Sequence, residues 1–241
     1  MIDLESKLPL YFQLKESIKK RIFSGELKEG DLVPSERELG AKYNLSSTTI
    51  RRALNDLVHE NLLERKAGKG TFVRIRRVQR DLRKVLSFTK NMEEMGLVPS
   101  AVVLEKKMVP AKTFVQESLG VASGELVLRL DRLRLANNVP MMLETRYIRV
   151  DLCPGIMDRD LSTSLWRLFE DAYSQKPYRH SQTLRIVNIS GKFAHLLKLE
   201  NNSPVYFIKG VTYLKNGKAI ECDESLYRGD KYEISFEAVT E

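Results

Sequence analysis

At 241 residues the chain is long for one domain and ample for two, and its formal net charge of +8 is unevenly placed: residues 1–84 hold 19 Lys and Arg against 12 Asp and Glu, residues 85–241 hold 21 against 20. This asymmetry points to a small polyanion-binding module joined to a larger domain of balanced charge. Two cysteines without CxxC spacing, Cys153 and Cys222, speak against a disulfide framework or a zinc site, and no stretch has the length of a signal core or a membrane span; a soluble, cytoplasmic protein with no membrane partner is expected.

Residues 10–23 place Tyr11, Leu14, Ile18 and Ile22 at helical spacing behind Pro9, which predicts a first helix. In PSERELGAKYN, Ser35 stands three residues before Glu38, a capping box opening a shorter helix that Leu39 and Tyr43 continue. A tight connection at 44–46 leads into LSSTTIRRALNDLV, residues 45–58. Here Ser46 is an N-cap, Ile50, Ala53, Leu54, Leu57 and Val58 form an apolar stripe, and Ser47, Thr48, Arg51 and Arg52 crowd the opposite face. Taken alone this is equally an ordinary amphipathic surface helix. The residues beyond it favour the DNA-binding alternative: residues 62–64, AGKG at 67–70 and residues 71–73 read as a β-hairpin with a glycine-bracketed tip, so a helix-turn-helix is succeeded by a wing.

From Pro9 to Val73 the segment PLYFQLKESIKKRIFSGELKEGDLVPSERELGAKYNLSSTTIRRALNDLVHENLLERKAGKGTFV resembles the winged-helix module of the GntR-type bacterial transcriptional regulators. The resemblance implies DNA contacts from Arg37, Thr48, Thr49, Arg51, Lys69 and Gly70. The side chains suit that role, since arginine takes guanine O6 and N7 in a fork, threonine touches phosphate or a thymine methyl, and glycine lets backbone approach the groove. Ser47 and Arg52, also on the polar face, stand where many members carry an arginine and an acid, so base preference should differ from theirs. Residues 74–84, RIRRVQRDLRK, carry six basic side chains and one acid. They read as a basic linker over 76–84, between a DNA-binding domain at 1–75 and a second domain at 85–241.

In that second domain, strands and helices alternate twice. A short helix at 87–96 precedes a strand at 101–109, a helix at 112–119, a strand at 125–135, a turn at Asn137 and Asn138, and a strand at 141–148. After a helix behind LSTS, the order returns as 185–189, 192–197, 205–214, the turn Asn216 and Gly217, and 219–227. PMMLE and GKAIE come after the two turns in matching places. Two related halves in an α+β domain with one antiparallel sheet are expected.

The phrases LSFTKNMEEMGLVPS, LRLDRLRLANNVPMMLETRYI, PGI, DLSTSLWRLFED and CDESLYRGDKYEI resemble the UTRA effector-sensing domain of the HutC subfamily, which has a chorismate-lyase-like fold. The resemblance implies a small polar effector and no catalysis. Arg132 and Arg134, two apart on a strand, project from one face; they make either an oxyanion clamp or two solvated arginines, and the resemblance favours the clamp. Ser162 and Ser164 are helix-capping candidates whose helix start beside the clamp would be a second anion-binding element, and Ser87, Phe88 and Thr89, in the first matching phrase, complete the effector-binding set that the resemblance implies. Glu144 and Glu221 occupy corresponding places in the two halves and, with Tyr147 and Tyr227, supply hydrogen bonds to hydroxyl or amino groups, a combination used by family members that sense phosphorylated amino sugars.

The expected protein is therefore a DNA-binding transcriptional repressor, a homodimer on a near-palindromic operator, controlled by a small anionic effector such as a sugar phosphate, with no cofactor. Alternatives are an effector from amino-acid pathways such as urocanate, an enzyme of chorismate-lyase-like fold, or an RNA-binding module, the last disfavoured because the basic region lacks stacking aromatics. His59, His180 and His195 have no second ligand at i+3 or i+4, so no metal site is expected.

Overall fold

Three helices and a hairpin organise residues 1–76 and one six-stranded sheet organises residues 77–241, the two units into which the chain divides. The computed structural model describes residues 3, 6, 8–23, 26–60, 62–74, 77–81 and 83–237.

In the first unit, α1 (Leu10–Phe23), α2 (Glu36–Tyr43) and α3 (Ser47–His59) precede β1 (Leu63–Lys66) and β2 (Gly70–Val73). The capping box is formed: the Ser35 hydroxyl accepts from Glu38 N, and the Glu38 carboxylate accepts from Ser35 N at 2.7 Å. Asn44, left-handed at φ 52°, ends α2, and Ser46 caps α3 two residues later, so the turn is tight. The apolar stripes meet in one core in which Leu14, Ile18, Leu39, Ile50, Leu54, Leu57 and Leu63 are buried. Lys15 and Lys19 both reach Glu60 at 3.0 Å, fastening α1 to the end of α3. Residues 30–33 run antiparallel beside β2 through a single bridge, Leu32 opposite Phe72, with Gly30 N donating to Val73 O and Val33 N to Thr71 O.

The second unit contains β3 (Val78–Asp81), α4 (Phe88–Glu94), β4 (Pro99–Pro110), α5 (Thr113–Leu119), β5 (Leu126–Ala136), β6 (Val139–Arg149), α6 (Leu165–Tyr173), β7 (Pro177–Ile189), α7 (Lys192–Leu197), β8 (Ser203–Leu214), β9 (Ala219–Arg228) and β10 (Tyr232–Ser235). The main sheet is antiparallel in the order β4-β5-β6-β9-β8-β7. The expected halves are visible in it. Strands β4, β5 and β6 mirror β7, β8 and β9, and the last strand of each half meets at the centre, from Met142 opposite Tyr227 to Ile148 opposite Glu221. Both Asn137 and Asn138 take positive φ, which a two-residue hairpin turn requires and asparagine tolerates. Side-chain alternation separates the layers: α5 packs on Tyr147 and Cys222 and α7 on Leu133 and Leu143, whereas α4 packs on Met142 and Tyr227 and α6 on Leu130 and Ile148, on the other face.

Two elements depart from expectation. The stretch read as a basic linker contains β3, which pairs in parallel with β10, another strand not anticipated. Val78 and Tyr232 are buried with Phe88 and Met92, and that burial outweighs the charge of the flanking arginines. Residues 75, 76 and 82 of the stretch lie outside the described residues. Strand β7 starts at Pro177, eight residues earlier than expected, because PYRHSQTL runs along a sheet rim and shows no hydrophobic alternation. Among the described residues, no helix is long and apolar enough to cross a membrane, and no group of three or more His, Cys, Asp and Glu is placed to hold a metal ion.

Candidate functional site

The first candidate surface is the polar face of α3 with the hairpin. Ile50, Ala53, Leu54 and Leu57 turn into the core, which leaves Ser47, Thr48, Arg51 and Arg52 exposed. They differ in their freedom to reach a ligand. Arg51 forks onto Glu36, with Nη2 at 3.0 Å from Oε2 and Nε at 3.3 Å from Oε1, and this hydrogen-bonded partner raises its pKa. Arg52 lies back along α1, its guanidinium 3.8 Å from the Tyr11 ring centroid. Thr49 shares a 2.9 Å hydrogen bond with the capping Ser46 hydroxyl, so it also serves the helix start. Arg37 is exposed on the first turn of α2.

Lys69 is exposed in the hairpin turn, which its own N–H closes onto Lys66 O at 2.9 Å. Gly70 has a structural duty besides any contact with DNA: φ is +115°, and a Cβ there would lie 2.7 Å from Leu32 Cδ1. The turn glycine that opens to solvent is Gly68, with φ +70° and no atom near a built Cβ.

The second candidate site lies on the sheet face beneath α4 and α6, where charge is buried. Glu144 is its hub, 2 % exposed, with Arg132 and Arg134 at 0 and 3 %. Arg132 Nε donates to Glu144 Oε1 at 2.7 Å, Arg134 Nη1 at 3.3 Å to the same oxygen, and Arg146 Nε to Oε2 at 2.9 Å. Arg146 then bridges to the matching acid of the other half, Glu221, at 2.5 Å. Trp166 Nε1 and Thr212 Oγ1 donate to the same Glu221 oxygen. Burial by itself would raise the Glu144 carboxyl, but the guanidiniums, Arg132 foremost, outweigh it and hold it well below the usual carboxylate range. Burial lowers Arg132 to about 10, still charged at neutral pH, while the acids around Arg146 outweigh its burial and push it well above its ordinary value.

The sequence-based set is partly assembled here. The open two-arginine clamp is not what the fold makes of Arg132: its Nη2 lies 2.5 Å from Glu144 Oε1, and its Nη1 takes the carbonyls of Leu161 and Thr163 at 2.8 and 2.9 Å, so the side chain fastens the loop before α6 to the sheet. Arg134 keeps capacity. Its Nη2 donates to Thr89 at 3.1 Å, its guanidinium lies 4.4 Å from the Phe88 ring centroid, and its Nε is buried with no hydrogen-bond partner among the described residues.

Ser87 and Ser164 cap α4 and α6. The exposed Ser162 donates its hydroxyl to Asp160 at 2.6 Å. Tyr227 shares the charged face and accepts from Arg80 of β3, over whose guanidinium its ring also stacks. Tyr147 does not belong to the cluster: it alternates to the opposite face and packs edge-on against Phe114.

Arg146, Trp166, Thr212 and Arg80 were missed. Arg146 was findable, since it stands two residues after Glu144, the same spacing that singled out Arg132 and Arg134. A further polar group extends along the face, where His180 Nε2 lies 3.5 Å from Asp223 Oδ1 and Ser225 donates to Oδ2 at 2.6 Å. Gly210 makes room for it, as a Cβ there would collide with both His180 and Asp223.

Residues 10–73 match the bacterial regulatory proteins of the gntR family, and residues 94–233 match the UTRA domain. The chain is similar to the HTH-type transcriptional repressor NagR of Bacillus subtilis, 33% identical over 96% of this chain and 95% of that protein. It is also similar to the mannosyl-D-glycerate transport/metabolism system repressor MngR of Escherichia coli, 27% identical over 94% and 95% of the two chains. Among solved structures, PhnF from Mycobacterium smegmatis superposes with a TM-score of 0.68 at 25% identity, covering 94% of this chain and 99% of that one. With a winged helix-turn-helix in its first unit and an antiparallel UTRA sheet in its second, the chain belongs to the gntR family of bacterial regulatory proteins and is a DNA-binding transcriptional regulator, not an enzyme.

Proposed function

We propose that this regulator is a cytoplasmic repressor, acting as a two-fold dimer on a near-palindromic operator, whose grip on DNA is set by a small anionic sugar-derived effector. The observation that carries the effector reading is Arg134, buried over Phe88 beside Thr89 with Nε left without a hydrogen-bond partner among the described residues. A buried donor in that state is stabilised by an acceptor, and an oxyanion supplies one. Ser87 and Thr89 add hydroxyls on the same side. At the far end of the network Glu221 Oε2 is buried with no hydrogen-bond partner among the described residues, an acceptor for an effector hydroxyl or amino group. Relatives named as repressors of mannosyl-D-glycerate and fructoselysine systems support a sugar compound.

On the DNA side, Ser47, Thr48, Arg51, Arg37 and Lys69 form the contact set, with Arg51 exchanging Glu36 for a base edge. Coupling runs through β3, because Arg80 on that strand holds Tyr227 on the effector face. Calorimetry with glucosamine 6-phosphate, N-acetylglucosamine 6-phosphate and other sugar phosphates tests the reading, with and without operator DNA. A sugar phosphate should bind, Arg134→Ala should abolish that binding, and operator should change effector affinity by the factor, roughly 5 to 150, by which effector changes operator affinity. Binding of an uncharged sugar instead, or equal binding by Arg134→Ala, would remove the anionic effector from the account.

A further inference from the structure

We propose that the UTRA unit holds a separate phosphate site, apart from Arg134, in a cavity between the segment before α4 and the start of β7, where Lys84 and His180 take a phosphate group that is free or esterified to a small molecule. The site stands whatever the effector at Arg134 proves to be.

The cavity has a volume of about 370 Å³, within the ~300–1,000 Å³ of small-molecule sites. Its polar lining is Arg83 and Lys84 on one wall and Tyr178, Arg179, His180 and Gln182 on the other, with no carboxylate among them. Strand β7 itself carries no acid between 177 and 189. The larger cavity of this unit, about 620 Å³ beside the end of α7, is mixed in sign, since Glu200 and Asp230 stand there with Lys198 and Arg228. A cavity lined by cations alone concentrates anions.

The two arginines of the lining are already engaged. Arg83 pairs with Asp81 and Glu237 at 3.0 and 3.1 Å, and the Arg179 guanidinium lies 3.7 Å from the Tyr213 ring centroid. The side chains of Lys84, Tyr178 and Gln182 make no hydrogen bond or salt bridge among the described residues. What remains is a set of single-point donors without a free planar fork. Such donors converge on a tetrahedral phosphate better than on a flat carboxylate, which favours a guanidinium.

His180 is the built part of the site, its side chain only 10 % exposed. It stands opposite Thr212, which donates to Glu221, so its ring lies on the charged face of the sheet. Trp166 packs edge-on against it at 5.6 Å between centroids, and Asp223 Oδ1 lies 3.5 Å from Nε2. That spacing is too long for a good hydrogen bond, and neither atom has a hydrogen-bond partner among the described residues. Gly210 supplies the room, because a Cβ there would collide with both groups. The ring is thus braced by Trp166 and Asp223 while it lines the cavity.

The position gives such a ligand leverage. Residues 83–85 join β3, whose Arg80 holds Tyr227, to α4, whose Thr89 bonds Arg134. A phosphate spanning Lys84 and His180 fastens that segment to β7 and restrains both elements.

Magnetic resonance of the histidine rings in the full chain tests the site, because the chain has three histidines and the other two, His59 and His195, lie on α3 and α7. His180→Gln assigns the reporting signal. Sodium phosphate or glycerol 3-phosphate, added at constant pH and ionic strength, should shift the His180 signal saturably with a midpoint on the order of 1 mM and leave His59 and His195 in place. Lys84→Glu, on an exposed side chain, should abolish the shift, whereas Lys84→Arg should keep the midpoint within about threefold. Unmoved His59 and His195 signals report that the variants fold. Arg134→Ala should leave the response intact, which separates this site from the effector pocket. Either phosphate compound supports the site: tighter binding of glycerol 3-phosphate names an esterified occupant, and tighter binding of phosphate names the free ion. A His180 signal that chloride at equal ionic strength moves as far, that phosphate moves equally in Lys84→Glu, or whose response disappears in Arg134→Ala overturns the proposal.

Discussion

Arg132 and Arg134 are two residues apart, on one face, bonded to one carboxylate, and they have different work. Arg132 is held by Glu144 and two carbonyls, all inside the protein. Removing it takes from Glu144 its nearest guanidinium, leaving Arg146 and the more distant Arg134, and frees the loop before α6 by unpairing the Leu161 and Thr163 carbonyls. Breaking one side of a buried ion pair costs about 3–5 kcal/mol, so Arg132→Ala should lower unfolding stability by that order. Arg134 bonds more weakly to the same acid, at 3.3 Å, and Arg146 and Arg132 still neutralise Glu144 in its absence. Arg134→Ala should therefore lower stability by a smaller amount while removing the anion contact. Urea unfolding of the two variants separates the roles; equal losses of stability would refute the division.

At the scale of the element, α3 and the hairpin present two kinds of positive charge. Arg51 is prealigned by Glu36, which holds the guanidinium fork in one place on an otherwise exposed face. A fork of this sort reads guanine, so Arg51→Ala should weaken specific operator binding by roughly tenfold or more and relax preference at one position of each half-site. Lys69, at the hairpin turn, is a point charge without a fork. Lys69→Ala should weaken all DNA sequences alike and reduce the salt dependence of binding by about one counterion per subunit. Titrations against operator and random DNA over a salt series measure both. An unchanged salt slope for Lys69→Ala would take the hairpin out of the interface.

For the whole molecule, the buried charge on the sheet face makes stability depend on acid. Asp223 and Glu144 are both held below their ordinary values of 3.8 and 4.5, against the opposing effect of burial, by His180 and Arg146 in the first case and by the three arginines in the second. A carboxyl whose folded pKa is depressed adds stability that is complete above its unfolded value and is lost as pH falls through the folded one. Unfolding free energy of the UTRA unit should thus be level between about pH 8 and 6 and fall steeply below about pH 4.5. Asp223→Asn should flatten the acid slope, as monitored by circular dichroism in urea at each pH; a slope identical to the wild type would show that the Asp223 charge does not contribute.

Much of the architecture was legible because it is written in local periodicity. The capping box at Ser35, the stripe of Ile50, Leu54 and Leu57, the Asn137–Asn138 turn and the echo of PMMLE in GKAIE are each set by neighbours in the chain, and these gave the winged helix and the two-half sheet. The charge asymmetry and the polar face of α3 gave the DNA-binding class on the same terms. Tertiary structure alone decided what long-range pairing decides. It joined Val78–Asp81 to Tyr232–Ser235, more than 150 residues later in the chain, and so turned an expected linker into a strand carrying Arg80 to Tyr227. It also divided Arg132 from Arg134 and sent Tyr147 to the far face. Spacing tells which side chains share a face, but which of them are already satisfied there depends on groups such as Leu161, Thr163 and Glu221 that only folding brings within reach.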